Sequence, residues 1–134
     1  MTAQLPEASG TFGDKPVLTF PASAAPAELE VVVLSQGDGA TVNAGDDLKV
    51  HYLGQAWGGG VFDNSYDRGE SISFPIGIGA VIGGWDLGLV GKQVGSRVLL
   101  SIPPRHGYGD RGVPQAGIKG TDTLVFVVDI VGTN

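Results

Sequence analysis

The stretch TLVFVVDIV, residues 123–131, places Leu124, Phe126, Val128 and Ile130 on one face of an extended chain, because successive side chains of a strand point to opposite faces. Three earlier segments show the same period of two, a fourth is a β-branched run, and glycine-rich turns lie between the segments. The predicted strands are residues 28–34, 47–53, 71–76, 96–102 and 123–131. Each has one clear apolar face, which indicates an antiparallel sheet with one side buried.

Residues 80–89 break this period. Val81, Ile82, Trp85 and Leu89 recur at steps of three and four residues, which is the spacing of one helix face. A helix this short and rich in glycine is marginal on its own, so its apolar stripe must pack on the sheet. The sequence therefore predicts an α+β fold in which a curved antiparallel β-sheet lies over one short α-helix.

The composition describes one small domain rich in turns. The chain has 134 residues, 23 of them glycine, and no cysteine, which excludes disulfides, thiolate catalysis and cysteine-bound zinc. The formal charge of −6 argues against nucleic acid and against an anionic membrane surface as partners. Prolines disfavour helix and central strand in residues 1–27, so we expect an extended Pro/Ala-rich arm there with one edge strand at residues 17–20. Residues 28–134 are expected to form the domain.

The start of the chain carries no targeting pattern. Residues 1–10 have no basic cluster and no apolar stretch, so they do not resemble a secretory signal. No segment approaches the ~20 apolar residues of a membrane span. We therefore expect a cytoplasmic, monomeric protein without membrane association, and the alternative of export, with a signal or lipid anchor ahead of these residues, stays open.

Familiar catalytic motifs are absent. His51 and His106 are far apart, and neither forms a metal-type pair with a nearby carboxylate on a helix, so we predict no metal. The stretch Gly77-Ile78-Gly79 lacks the third glycine of a dinucleotide-binding turn, because isoleucine stands at position 82. A P-loop and the G-x-S-x-G elbow are also missing. The sequence therefore predicts a protein without a cofactor.

A set of aromatic and polar residues on strand ends and loops remains as a candidate site. Its members are Tyr52, Phe62, Asp63, Asp67, Arg68, Trp85, Tyr108 and Phe126. Buried aromatic residues more often form a core than a binding site, so their spacing alone does not decide between the two.

Several dispersed segments resemble a known family. They are residues 50–54 (VHYLG), 61–65 (VFDNS), 77–85 (GIGAVIGGW), 94–97 (VGSR), 108–109 (YG) and 123–126 (TLVF), in register from about residue 30 to residue 131. On these motifs the sequence is identified as a member of the FK506-binding protein (FKBP) family of prolyl isomerases. The resemblance implies a half-barrel sheet wrapped around one short helix, peptidyl-prolyl cis–trans isomerase activity and no cofactor.

The resemblance also implies a proline pocket with assigned residues. Trp85 would form its floor, and the backbone amide of Ile82 would donate to bound ligand. The walls would be Tyr52, Phe62, Val81, Ile82 and Phe126, with Asp63 and Tyr108 as the polar groups at the rim. Arg68, Ile72, Phe74 and Ile118 are expected as further substrate-binding residues. Whether an Asp63–Arg68 pair serves the site or only the scaffold stays open.

The sequence departs from the family pattern in three places. Ile72 stands where many members carry phenylalanine, which should alter preference for the residue before proline or weaken affinity. The loop 109–122 is one residue longer than the common pattern and lacks a proline pair after Ile118, and His106 replaces a common aromatic residue.

The implied partners are proline-containing peptides and unfolded client proteins, with FK506- and rapamycin-type macrolides as inhibitors. Two alternatives stay open. One is a proline-recognising binding or chaperone module with little turnover, and the other is a purely structural β-domain.

Overall fold

The computed structural model describes residues 5–134, so the first four residues of the predicted arm lie outside the described part. In chain order the strands are β1 (Glu7–Ala8), β2 (Leu18–Thr19), β3 (Glu30–Ser35), β4 (Asp47–Ala56), β5 (Val61–Asn64), β6 (Ile72–Pro75), β7 (Arg97–Ile102) and β8 (Leu124–Thr133). The helix α1 spans Gly83–Leu89, between β6 and β7. Three single 3₁₀ turns, at Pro104–His106, Gly109–Arg111 and Pro114–Ala116, lie in the connection from β7 to β8. No helix within residues 5–134 is long and apolar enough to cross a membrane.

Strands β3 to β8 form one antiparallel sheet in the order β3-β7-β8-β4-β5, and β6 pairs with the first half of β4. The long strands β4 and β8 lie at its centre, and a register shift near Lys49 bends the pair. The predicted α+β fold, a curved antiparallel sheet around one short helix, is confirmed. All of the predicted strand segments of this sheet form, and the sequence missed only β5, whose four residues do not alternate.

The concave face of the sheet packs on α1, as the alternating pattern predicted. Trp85 and Leu89 of the helix join a core with the inward side chains of β4, β7 and β8. A Cβ at Gly84 would lie 2.6 Å from Ile102, and one at Gly88 would lie 2.5 Å from Leu100. The glycines that weaken the helix in isolation therefore let it approach the sheet closely. The helix begins at Gly83 rather than at residue 80, because Ile82 adopts an extended conformation.

The prediction that only one side of the sheet is buried is wrong. Every residue of β7 is buried, and the outward side chains of Leu53, Leu99, Val125 and Val127 form a second core with Leu18. Residues of the N-terminal segment cover this face, and β1 pairs with β2 there as a small separate sheet. The pattern of β7 and β8 already carries apolar residues on both faces, which is typical of strands covered on both sides.

A buried ion pair in the sheet also binds the N-terminal segment through hydrogen bonds. Arg97 and Asp129 expose only 2% and 1% of their side chains, and their Nε and Oδ1 atoms are 2.8 Å apart. Asp129 Oδ2 also accepts hydrogen bonds from the Tyr66 hydroxyl at 2.6 Å and the Gly13 amide at 2.9 Å. The Arg97 guanidinium donates to the Ser9 carbonyl at 3.1 Å. Each charge is thus fully hydrogen-bonded, which offsets the desolvation cost of burying it. The boundary between arm and domain near residue 27 stays a prediction.

Candidate active site

An open cavity of about 470 Å³ lies between α1 and the strands β4, β5 and β8. We call it the aromatic cavity. Its lining residues are Tyr52, Phe62, Asp63, Ile72, Gly79, Ala80, Val81, Ile82, Trp85, Tyr108 and Phe126. Its volume lies within the ~300–1,000 Å³ of small-ligand sites, and its lining is mainly apolar with a few convergent polar groups.

Trp85 forms the floor of the aromatic cavity and is only 5% exposed. The rings of Tyr52 and Phe126 stand nearly perpendicular to the indole, at centroid distances of 5.4 and 5.2 Å, and Phe74 packs on it at 5.2 Å. The buried Nε1 atom has no hydrogen-bond partner among residues 5–134. Ring contacts rather than hydrogen bonds therefore hold the indole in place, and edge-to-face packing of this kind is favourable.

The ring positions in the wall opposite the helix depend on a glycine that the sequence analysis did not single out. Phe62 of β5 meets Phe126 of β8 edge to face, at 5.6 Å and 85°. A Cβ on Gly54 of β4 would lie 2.7 Å from each of these rings, which is closer than real side chains approach. The signal was present, because a glycine inside a strand often marks a close approach, but the sequence does not say what approaches.

Tyr52 and Asp63 line the cavity and form a hydrogen-bonded polar corner with Arg68, which lies outside the lining. The Tyr52 hydroxyl donates to Asp63, and the Arg68 guanidinium donates to Asp63 Oδ1 at 2.6 Å and to the Tyr52 oxygen at 3.2 Å. The guanidinium carbon also lies 5.7 Å from the centre of the Tyr52 ring. These contacts hold both side chains in fixed positions beside the cavity.

Protonation in the polar corner follows from these contacts. Burial raises the pKa of Tyr52, and its hydrogen bond to Asp63 raises that pKa further. Burial acts to raise the pKa of Asp63 as well, but the hydrogen bonds from Tyr52 and Arg68 outweigh it and hold that pKa below its usual value. At neutral pH the site therefore presents a neutral phenol and an ionised carboxylate.

Two residues of the cavity lining, Tyr108 and Ile82, carry hydrogen-bond donors with no partner within residues 5–134. Tyr108 is 43% exposed, and burial together with the nearby Asp63 charge raises the pKa of its hydroxyl, which stays protonated at neutral pH. The backbone amide of Ile82, at the start of α1, donates no hydrogen bond within the described part of the chain. Both donors are available to a ligand carbonyl.

Asp86 positions one rim of the cavity, and sequence reasoning missed it. Its two carboxylate oxygens accept hydrogen bonds from the amides of Gly77 at 2.7 Å and Gly79 at 2.9 Å. Both glycines have positive φ, 82° and 81°, where other residues are strained. The residue after the floor tryptophan thus ties down the loop that carries the lining residues Gly79 to Ile82.

The structure brings most of the predicted site residues together. Four of them lie elsewhere, and one of the four is Asp67, which pairs with Lys15 away from the cavity. Arg68 lies behind Tyr52 and Asp63, Phe74 lies beneath Trp85, and Ile118 is buried in the core, 4% exposed, facing a neighbouring cleft. His106 lies in a 3₁₀ turn and does not line the cavity. Within residues 5–134 no group of three or more His, Cys, Asp or Glu side chains could hold a metal.

The arrangement therefore offers an apolar hollow for a small ring, donors for carbonyl oxygens and one fixed carboxylate. Its lining contains no serine, threonine or cysteine, and its two hydroxyl groups are the phenols of Tyr52 and Tyr108, whose pKa values are both raised, so they are neutral at neutral pH.

The chain matches a family model for FKBP-type peptidyl-prolyl cis–trans isomerases over residues 39–131. An FK506-binding protein of Streptomyces anulatus is 43% identical over 119 residues, covering 88% of this chain and 96% of that one. FK506-binding protein 1 of Debaryomyces hansenii is 45% identical over 111 residues, covering 82% of this chain and 98% of that one.

Two solved structures are similar to the fold. The crystal structure of AtFKBP13 has a TM-score of 0.73 at 35% identity and covers 84% of this chain and 98% of its own. That of FkpA from Escherichia coli has a TM-score of 0.72 at 40% identity and covers 79% of this chain and 48% of its own. The aromatic cavity, the half-barrel around one helix and these similarities agree, and the chain belongs to the FKBP-type peptidyl-prolyl cis–trans isomerases.

Proposed function

We propose that the aromatic cavity holds the proline ring of a polypeptide substrate and accelerates rotation about the preceding peptide bond by desolvating it and favouring its twisted form. The observation that carries this proposal is the Trp85 floor, walled at nearly right angles by Tyr52 and Phe126. A pyrrolidine ring is small and apolar, and it fits a hollow of this lining.

The uncatalysed reaction is slow because amide resonance opposes twisting. The barrier is ~18–20 kcal/mol, and X–Pro bonds isomerise over tens to hundreds of seconds. No bond is made or broken and no proton needs to move. A site that binds the twisted amide more tightly than either planar form therefore accelerates the reaction.

Desolvation is one reason why the cavity should bind the twisted amide more tightly than the planar forms. Water hydrogen-bonded to the substrate carbonyl stabilises the planar, dipolar form of the amide, and an aromatic cavity removes this water. Apolar contact holds the proline ring on Trp85 while the residue before it turns. The Ile82 amide and the Tyr108 hydroxyl orient the substrate backbone, which keeps the reacting bond in one geometry.

Asp63 acts in this scheme as a fixed charge beside the rotating carbonyl. Its carboxylate is ionised and held by Tyr52 and Arg68, so no reorganisation is needed during the rotation. The test is replacement of Asp63 by leucine. The matched control is Asp67→Leu, an exposed aspartate that pairs with Lys15 outside the cavity. We expect turnover to fall in the first variant only, and unchanged turnover in a folded Asp63→Leu protein contradicts the electrostatic role.

The proposed partners are proline-containing peptides and unfolded proteins, and the proposed biological role is assistance of protein folding by a cytoplasmic monomer. Relatives named as FK506-binding proteins support macrolide binding in the same cavity. Ile72 lines the cavity where a larger side chain is common in the family, so we propose a roomier wall and altered preference for the residue before proline.

The deciding experiment measures exchange between cis and trans forms of a short X–Pro peptide by NMR, with and without protein. A second titration follows indole fluorescence as an FK506-type macrolide is added. We expect accelerated exchange that the macrolide inhibits. Macrolide binding without accelerated exchange favours a binding or chaperone module, and absence of both contradicts the proposed site.

A further inference from the structure

Beside the aromatic cavity lies a second hollow of about 450 Å³, which we call the side cleft. It runs between the turn that joins β4 to β5 and the loop segment 116–122. The residues that matter here are Trp57, Gly60, Val61, Phe62, Ile118 and Lys119. The family resemblance implies substrate-binding roles for Phe62 and Ile118 at the proline pocket, but neither it nor the mechanism above gives a role to this cleft as a site of its own.

Both walls of the side cleft are held in place. On one wall the Trp57 amide donates to the Thr123 carbonyl at 2.9 Å, and the Trp57 ring packs edge to face on Phe20 at 5.3 Å. On the other wall the amides and carbonyls of Val113 and Ile118 exchange hydrogen bonds at 2.9 and 3.1 Å. The cleft is therefore preformed, as small-molecule and peptide sites usually are.

The side cleft adjoins the aromatic cavity. Phe62 lines both hollows, while its neighbours divide between them, with Val61 in the cleft and Asp63 in the cavity. These residues belong to β5, which ends the sheet, so one edge of β5 has no strand partner within residues 5–134. An extended chain rises ~3.3 Å per residue, so the step from Asp63 to Val61 matches about two residues of an extended substrate.

The lining suits an apolar side chain together with polar main chain. Val61 is 48% exposed, and the lining residue Phe62 adds an aromatic ring. The glycines of the turn leave room, because a Cβ at Gly60 would meet nothing within 4 Å. Lys119 stands on the opposite wall with Asp122, so the local charge nearly cancels and gives no preference for a strongly charged group.

We propose that the side cleft is a subsite for the polypeptide substrate, taking an apolar side chain about two residues away from the X–Pro bond while the substrate main chain follows the free edge of β5. An exposed strand edge binds extended peptides through main-chain hydrogen bonds, and neighbouring pockets supply the side-chain preference. The inference rests on the proposed function, since it requires the proline to occupy the aromatic cavity.

The test compares short and extended substrates. The short substrate is an X–Pro tetrapeptide, and the extended ones add four residues, including leucine two positions from the X–Pro bond, on either the amino or the carboxyl side. The variant is Gly60→Leu, which puts a larger side chain on a residue that lines the side cleft and does not line the aromatic cavity, and the matched control is Gly60→Ala. Because φ at Gly60 is not positive and the Cβ position is open, both variants should fold.

We expect one of the two extensions to raise kcat/KM by about fivefold to tenfold over the tetrapeptide, mainly by lowering KM. A rise of this size corresponds to the binding energy of one partly buried apolar side chain. Gly60→Leu should abolish that gain and leave tetrapeptide turnover within about twofold, and Gly60→Ala should keep it. Amide NMR shifts at Val61, Gly117 and Lys119 should respond to the extended peptide and not to the tetrapeptide.

The proposal is overturned if neither extension raises kcat/KM in the parent protein, or if the gain survives Gly60→Leu. Peptide-induced shifts confined to the aromatic cavity overturn it as well. Failure of the proposed function has a different signature, because the parent protein then does not turn over the tetrapeptide either.

Discussion

Replacing Gly54 by alanine adds one methyl group at the point where two walls of the aromatic cavity meet. The new Cβ would lie 2.7 Å from ring carbons of both Phe62 and Phe126, whereas ordinary contacts begin at 3.4 Å. Each ring must therefore move by about 0.7 Å, or the strand must shift away from them. Gly54 lies in the last third of β4 and pairs with Asp63 of β5 and Phe126 of β8, so strands on both sides restrain its movement.

The structure sets the size of the expected effects. Overpacking a well-filled site costs ~1–3 kcal/mol in the free energy of unfolding. Displacement of the substrate or of catalytic groups by about 1 Å can reduce the rate about 100-fold, so we expect kcat/KM for an X–Pro tetrapeptide to fall between about 10-fold and 100-fold. Trp85 lies against Phe126, so its fluorescence should change as well.

Gly132→Ala is the matched control. It makes the same substitution in β8 of the same sheet, but its Cβ would meet only Lys49, at 4.0 Å. Urea unfolding and NMR exchange kinetics are measured for both variants. If Gly54→Ala matches the control in stability and in kcat/KM, the ring positions do not set the activity and the reasoning about the cavity wall is refuted.

The substitution Asp129→Ala should lower the free energy of unfolding by ~3–5 kcal/mol, because it leaves the charge of Arg97 buried and unpaired. A loss below about 1 kcal/mol in urea unfolding contradicts this prediction. The double variant Arg97→Met/Asp129→Leu should recover most of the loss, and no recovery means that the contacts to the N-terminal segment dominate. Asp86→Ala should raise KM and speed amide hydrogen exchange in residues 77–79, and unchanged exchange there contradicts a positioning role. Burial of Asp63 opposes its ionisation, but its hydrogen bonds outweigh burial and hold its pKa below 3.8. Its contribution to the free energy of unfolding is therefore complete above pH 3.8 and is lost as the pH falls through the lower pKa of the folded state. A decline in turnover between about pH 6 and 5 that depends on Asp63 contradicts this assignment.

Local patterns in the sequence were sufficient to predict the sheet and the helix. Leu124, Phe126, Val128 and Ile130 are inward because alternation is a property of any extended chain, and the structure places all four in the core beneath α1. The candidate residues of the aromatic cavity could also be named in advance, since conspicuous side chains at strand ends and the resemblance to a family identify them without coordinates.

The features that sequence reasoning missed depend on contacts between distant segments. Nothing near Gly54 indicates that rings from residues 62 and 126 approach it. Asp86 looks like an exposed helix residue until the loop at Gly77 is seen to lie against it. Ile118 resembled a residue of the cavity rim, but its loop folds back and turns it into the core beside a different cleft.

The sequence by itself determined the alternating strands, the single short helix and the identity of the side chains available to the aromatic cavity, because each of these follows from the order of neighbouring residues. Only the tertiary structure decided which face of β7 and β8 the N-terminal segment covers, how near the walls of the cavity stand to one another, and that a second cleft adjoins the first. Those properties are distances between segments far apart in the chain, and packing in three dimensions sets them.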